Sequence, residues 1–240
     1  MARGSHGDQQ LSLFNAHYDE RCFLPISVYD TDRSRPVAVV LRPGKTPSGV
    51  EVRAHLRRLT RHIRKRWPKT RILFRGDGHY ARPEAMAWCE DHGVDYVFGL
   101  PGTKPLSKKV DETADAVRTE RAIDDKDVAR GYAETRHRAR SWDRERRAIA
   151  RIKATRLGPD IRFVVTNLAH GSAEWLYDNL YCARGQADID QSWRLSRLCG
   201  GGGGVVGKPW RQAAPGRRRG SYRLQRRDRL GIGAHQHGAF

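Results

Sequence analysis

The chain has 240 residues, with 46 Lys and Arg against 27 Asp and Glu, a formal charge of +19 and 38% hydrophobic residues. That length admits one full core or one core with an appendage, and the apolar content is too high for a wholly unfolded chain. The basic surplus favours a polyanionic partner, nucleic acid before an acidic membrane surface, and no apolar span or secretory leader is visible, so the expected place is the cytoplasm, on nucleic acid.

In chain order, LSLFNAHYDERCFLPISVYD (Leu11 to Asp30) sets two short apolar and aromatic runs around a polar HYDERC turn, and reads as an antiparallel strand pair. Val37 to Leu41 adds a third strand before the Pro/Gly loop RPGKTPSG. Next, Val52, Leu56, Leu59, Ile63 and Trp67 recur at steps of three and four, an apolar helix stripe with arginines over the rest, ended by Pro68. Ile72 to Phe74 is a short buried strand with Asp77 just past its end. RPEAMAWCEDHG is a helix with Gly93 at its C-terminal cap, and VDYVFGL is another strand. This alternation predicts a mixed sheet flanked by helices.

From residue 101 to 158 alternating charges dominate, and ERAI and YAETRHRARSW read as strands of a solvated, strand-rich insertion. IRFVVTNL (Ile161 to Leu168) returns to a core strand, followed by a helix from about Ala173. Beyond Ala187 the text turns Gly- and Arg-rich, with GGGGG and RRR runs and no sustained period. Glycine loses the most entropy on ordering and arginines repel one another, so residues 188–240 are expected to form a disordered basic tail. Cys22, Cys89, Cys182 and Cys199 are scattered without a C-x-x-C pair, and are read as reduced, mostly buried thiols.

Two stretches offer chemistry. In FRGDGHY, Asp77 ends a buried strand between glycines, where open sheets place their sites; an aspartate there is also an ordinary turn or cap residue. In YCARGQAD, Tyr181, Arg184 and Asp188 fall at steps of three and four on one helix face. Together they can stack on a base, hold a phosphate and ligate a metal, or form only a solvated ion pair. The basic run RRLTRHIRKRW suits DNA phosphates or a plain exposed face, and Lys45 lies in a loop able to approach a scissile strand. GGGGGVVGK is not a phosphate loop, since Pro209 follows Lys208, and His6, His17 and Cys22 lack zinc spacing.

The segments HGDQQLSLFNAHYDERCFLPISVYD, RPVAVVLRPGKTPSGVEVRAHLRRL, RILFRGDGHYARPEAMAWCEDHGVDYVFGL, RFVVTNL and YCARGQA together resemble insertion-sequence DDE transposases of the group-one type, from about His6 to Ala187. The resemblance implies an RNase H-like catalytic domain, with an insertion between the second and third acidic residues. Asp77 matches the second catalytic aspartate, and Tyr181 and Arg184 match the start of a Y-x2-R-x3-E-x6-K helix. Asp188 stands where that pattern has Glu, and Leu195 where it has Lys. The first aspartate belongs on a strand just upstream of His6; Asp8 and Asp19 lie downstream of that place.

Such sites hold two Mg²⁺ (or Mn²⁺) ions about 4 Å apart, and a glutamate shortened by one methylene is a large error on that scale. The expectation is therefore an α/β, RNase H-like chain: core at 6–100 and 159–187, first strand missing, insertion at 101–158, tail at 188–240. Catalytic and metal residues are Asp77 and Asp188, and Lys45, Tyr181 and Arg184 are DNA contacts. The partner is double-stranded DNA at transposon ends, with homo-oligomers allowed and no membrane, in a bacterial cytoplasm at the nucleoid. The copy is expected to be N-terminally truncated, frameshifted after Ala187 and inactive in nicking and strand transfer. The alternatives are a DNA-binding fragment that interferes with an intact transposase and a translated pseudogene.

Overall fold

Ser48 starts the first helix for a local reason: its Oγ accepts the backbone N–H of Glu51 (3.2 Å), satisfying one of the free donors of the first turn. The Glu51 carboxylate turns instead to Arg42, whose Nε lies 2.8 Å away. Arg42 is buried, so this pair ties the preceding loop to the helix. The computed structural model describes residues 13–15, 20–31, 35–184 and 229–236.

The strands and helices are β1 (Leu13–Asn15), β2 (Glu20–Cys22), β3 (Ile26–Asp30), β4 (Arg35–Val40), α1 (Gly49–Arg66), β5 (Arg71–Gly76), α2 (Pro83–Asp91), β6 (Asp95–Leu100), α3 (Lys104–Lys108), α4 (Asp111–Ile123), β7 (Val128–His137), β8 (Arg146–Thr155), β9 (Gly158–Thr166) and β10 (Arg229–Gln236). A π-helical segment, Trp175–Tyr181, precedes a 3₁₀ turn, Cys182–Arg184. Eight strands form one mixed sheet in the order β4-β3-β10-β5-β6-β9-β8-β7. Among the described strands of this sheet, β10–β5 and β5–β6 are parallel and the other ladders are antiparallel.

Strand alternation assigns the two faces. Ile72 and Phe74 of β5 and Tyr96 and Phe98 of β6 join Val52, Leu56 and Ile63 of α1 and Met86 and Cys89 of α2 in one core. Val97 of β6 and Ile149 of β8 point the other way, onto Leu176 and Tyr177. A third cluster packs α3 and α4 onto β7 and β8 through Leu106, Val110, Ala114, Val117, Ala148 and Ile152. This is the expected mixed α/β sheet with helices on both faces, compatible with an RNase H-like fold.

Several expectations change. The first apolar run does not pair with the second: β1 pairs with β2, inside the polar turn, while β3 pairs with β4 in the large sheet. ERAI is the end of helix α4, not a strand, because Ala114 and Val117 recur at helical spacing and are buried against the sheet. Trp67 caps α1 and is 51% exposed rather than continuing the stripe. Cys89 is buried, whereas Cys182 is exposed, and neither forms a disulfide among the described residues. Cys22 makes its strand pairing through its backbone, and Cys199 lies outside the described residues.

The segment 101–158 is continuous with the main sheet through β8–β9, and its hairpin is bolted to the core. Trp142, between β7 and β8, is buried in the α1/α2 cluster. Arg146 (Nε, Nη2) makes a two-pronged contact with Glu90 of α2 at 2.7 and 3.0 Å, its guanidinium 5.4 Å from the Trp142 ring centre. Tyr96 Oη donates to the same Glu90 (2.8 Å).

The tail shows the largest difference. Arg229–Gln236, inside the stretch expected to be disordered, is a strand of the main sheet. Its Leu230, Ile232 and Ala234 do alternate with Gly231, Gly233 and His235, a period of two that the glycines hide. Backbone ladders on both sides, which no side chain is needed to make, outweigh the poor strand propensity. The rest of the tail lies outside the described residues.

Removing one partner of a buried ion pair costs about 3–5 kcal/mol, because the other charge is left uncompensated. Arg146→Ala is therefore expected to lower unfolding stability in urea by about 3 kcal/mol, and Arg146→Met with Glu90→Leu by distinctly less. The Arg42 guanidinium, through its hydrogen bond and charge, holds the Glu51 carboxyl below its ordinary value of 4.5. A depressed carboxyl contributes stability above its unfolded pKa and loses it as pH falls through the folded one. The stability gap between the wild type and Glu51→Gln should thus be widest above about pH 4.5 and close in stronger acid.

Candidate active site

Along β5, residues 73 and 75 share the face that carries Leu176 and Tyr177, and Asp77 follows them past the strand end. Asp77 is half-buried. One carboxylate oxygen, Oδ1, accepts the backbone N–H of His79 (2.8 Å), and the Asp77 carbonyl accepts that of Tyr80 (3.2 Å), so the aspartate anchors its own turn. Tyr80 closes beneath it. Burial first, and then the Asp77 charge, push the Tyr80 phenol well above its ordinary range, which keeps it neutral.

Across the sheet, β6 brings Gly99 against the same turn. A Cβ at Gly99 would lie 2.6 Å from Tyr181 Oη, 2.9 Å from the Gly78 nitrogen and 3.1 Å from the Asp77 carbonyl carbon. The phenol tip of Tyr181 thus sits at the Asp77–Gly78 backbone, and only glycine at 99 permits it. Arg75, buried on β5, donates from Nη1 to the Leu180 carbonyl (2.9 Å) and fixes the end of the π-helical segment beside the turn. Tyr181 also packs on Tyr177, ring centres 5.4 Å apart. Burial raises the Tyr177 phenol to about 12, and the Arg151 guanidinium lies 5.5 Å from its ring centre. Further along, Tyr132 Oη donates to Asp178 (2.5 Å), which braces the segment against β7.

The structure therefore brings two of the expected residues together, Asp77 and Tyr181. Arg184 follows in a 3₁₀ turn, with its side chain outside the description, and Asp188 lies outside the described residues. Lys45 is exposed in the loop between the Phe23–Pro43 bridge and α1, its N–H bonded to the Pro43 carbonyl (2.7 Å). No described contact joins it to Asp77. Sequence reasoning missed Gly99 and Arg75. The signal for Gly99 was a glycine inside an apolar strand, which marks a close backbone approach; a basic residue mid-strand gave no cue to the carbonyl that Arg75 holds.

Two divalent ions need several converging carboxylates. Among the described residues no group of three or more His, Cys, Asp or Glu is placed to hold a metal ion, and Asp77 is the one expected ligand among them. These residues do not by themselves fit a two-metal site. They do supply a fixed carboxylate and an aromatic tip set against two glycines.

The exposed side of α1 carries Arg53, Arg57, Arg58, Arg61, Lys65 and Arg66, opposite its buried stripe. Among the described residues no helix is long and apolar enough to cross a membrane.

The family described as transposase DDE domain group 1 matches residues 2–190 of the chain. No curated protein and no solved structure matches it significantly.

A methyl group at position 99 has nowhere to go, because the Gly78 backbone stands behind the Tyr181 hydroxyl. Gly99→Ala is expected to cost about 1–3 kcal/mol in urea unfolding, in the range of overpacked sites. Adding Tyr181→Ala should recover only part of the loss, since the contact with the Gly78 nitrogen remains.

Proposed function

The chain belongs to the transposase DDE domain group 1 family, and from that premise we propose that it binds duplex DNA at insertion-element ends, with its own strand-cutting capacity impaired. The observation that carries this reading is the position of Asp77, at the end of a central strand, fixed by its own turn and met by Tyr181. That is the place the family resemblance gives to the second catalytic aspartate. Tyr181 and Arg184 are read as the start of the Y-R-E-K helix, where they position a DNA strand by stacking and by phosphate contact. Lys45 is read as a backbone contact from the adjoining loop.

Impairment follows from residue identity. Asp188 in place of Glu draws the carboxylate back by one methylene, and Leu195 in place of Lys removes a phosphate-binding charge. The family match ends at residue 190, close to where the composition turns to Gly and Arg, which supports a reading-frame break after Ala187. Divalent metal is the family's general requirement. No step is assigned to it in this chain, because the described residues offer only Asp77.

Binding and cleavage are tested separately on labelled duplex oligonucleotides. Each phosphate contact contributes about 0.9 to the slope of log K against log salt. Binding should weaken steeply between about 50 and 200 mM salt, and Arg57→Ala/Arg61→Ala/Lys65→Ala should flatten the slope by up to about 3. With Mg²⁺ or Mn²⁺, nicking by the wild type should stay at the level of Asp77→Asn, while both bind equally well. Efficient nicking abolished by Asp77→Asn would refute impairment, efficient nicking that survives it would remove Asp77 from the site, and salt-insensitive binding would refute the phosphate contact.

A further inference from the structure

β3 and β5 flank β10 in the sheet and share no ladder with each other. Each is paired to β10 alone on its facing side: Ile26–Asp30 antiparallel to Gln236–Ile232, and Arg71–Gly76 parallel to Arg229–Ala234. With strands about 4.8 Å apart, the space between β3 and β5 is about 10 Å. That is too wide for them to bond each other and wide enough for one extended chain.

The walls of this slot are buried. All five residues of β3 are buried, as are Ile72, Phe74, Arg75 and Gly76 of β5. Helix α1 roofs it, since Val52, Leu56 and Ile63 join one core with Ile26 and Val28 of β3 and with Ile72 and Phe74 of β5. Buried backbone groups require partners, and here the partner must be a strand presenting donors and acceptors along both edges.

We propose that the slot between β3 and β5 is a strand-binding site whose occupant is the chain's own C-terminal segment, Arg229–Gln236, held as a separable and replaceable ligand. Three observations support it. The segment is antiparallel to one neighbour and parallel to the other, so no tight hairpin attaches it to either. It enters from a sequence distance of more than 150 residues from β5 and about 200 from β3, counted from residue 229 to Gly76 and Asp30. Its composition, RLGIGAHQ, is rich in small residues, as a strand enclosed between two others tolerates. The inference rests on sheet geometry and stands apart from the catalytic reading.

Occupancy also fixes the neighbourhood of Asp77. Ala234 is level with Gly76, the residue immediately before Asp77. A filled slot excludes any other strand, including one that would bring a carboxylate to that place.

The test uses the full chain, the full chain with Ile232→Pro, and a chain ending at residue 228. Proline removes one N–H from the ladder in mid-strand. Amide exchange in Ile26–Asp30 and Arg71–Gly76 should quicken at least 100-fold in both variants, while β8 and β9 keep most of their protection. A fluorescent RLGIGAHQ peptide should bind the shortened chain and restore protection there, and should not bind the full chain. A scrambled peptide should do neither. If the shortened chain precipitates, it is refolded with each peptide, and soluble protein should return with RLGIGAHQ only. Unchanged exchange at β3 and β5 in Ile232→Pro, equal binding of the peptide to full and shortened chains, or equal rescue by the scrambled peptide would each overturn the proposal.

Discussion

The fold depends on two backbone ladders that meet in a single strand. β3 and β5 never touch, and β10 joins them by pairing with both. Among the described residues, side-chain packing reinforces the join where α1 lies across both strands with Val52, Leu56 and Ile63. Backbone pairing is open to any residue with a free N–H, so a segment with two glycines among its eight residues can fill a central position that composition alone would deny it. The candidate site inherits this arrangement, because β5 delivers Asp77, and the alignment of β5 with β3 is set by the strand between them.

The elements legible in the sequence are those whose burial is one-sided and regular. The stripe of α1, the apolar cores of β5, β6 and β9, and the cap at Gly93, which takes φ +60°, all announced themselves. What escaped was structure decided by partners distant in sequence. β1 and β2 are three residues each and pair within a turn. Helix α4 buries Ala114 and Val117, small residues that make a faint stripe amid charge. β10 owes its form to two strands more than 150 residues upstream of it. At the site, Asp77 and Tyr181 were legible as residue types in a pattern. Gly99, which lets them meet, became visible only when β6 was laid beside β5.

The charge of +19 divides in a way that composition does not show. Arg42, Arg75 and Arg146 are buried, bound to a carboxylate, a helix-end carbonyl and a second carboxylate in turn. They hold α1, the Trp175–Tyr181 segment and the β7–β8 hairpin in place, and are not presented at the surface for direct contact. The exposed arginines of α1 are a different population, set on one side of a helix whose other side is core. The proposed DNA contact therefore falls to α1 and its surroundings, and the buried guanidiniums belong to the architecture.

That division bears on how firmly the segment beside Asp77 is held. Arg75 holds the Leu180 carbonyl, Tyr132 holds Asp178, and Gly99 seats Tyr181, so the segment leading toward position 188 is pinned at three points against the sheet. A loosely held segment could slide along the sheet without breaking a buried contact. This one would break a buried guanidinium–carbonyl bond or drive Tyr181 into the Gly78 backbone to move. The rigidity belongs to the side of the sheet that carries Asp77, and any ligand that the proposed function places beside it meets a fixed wall.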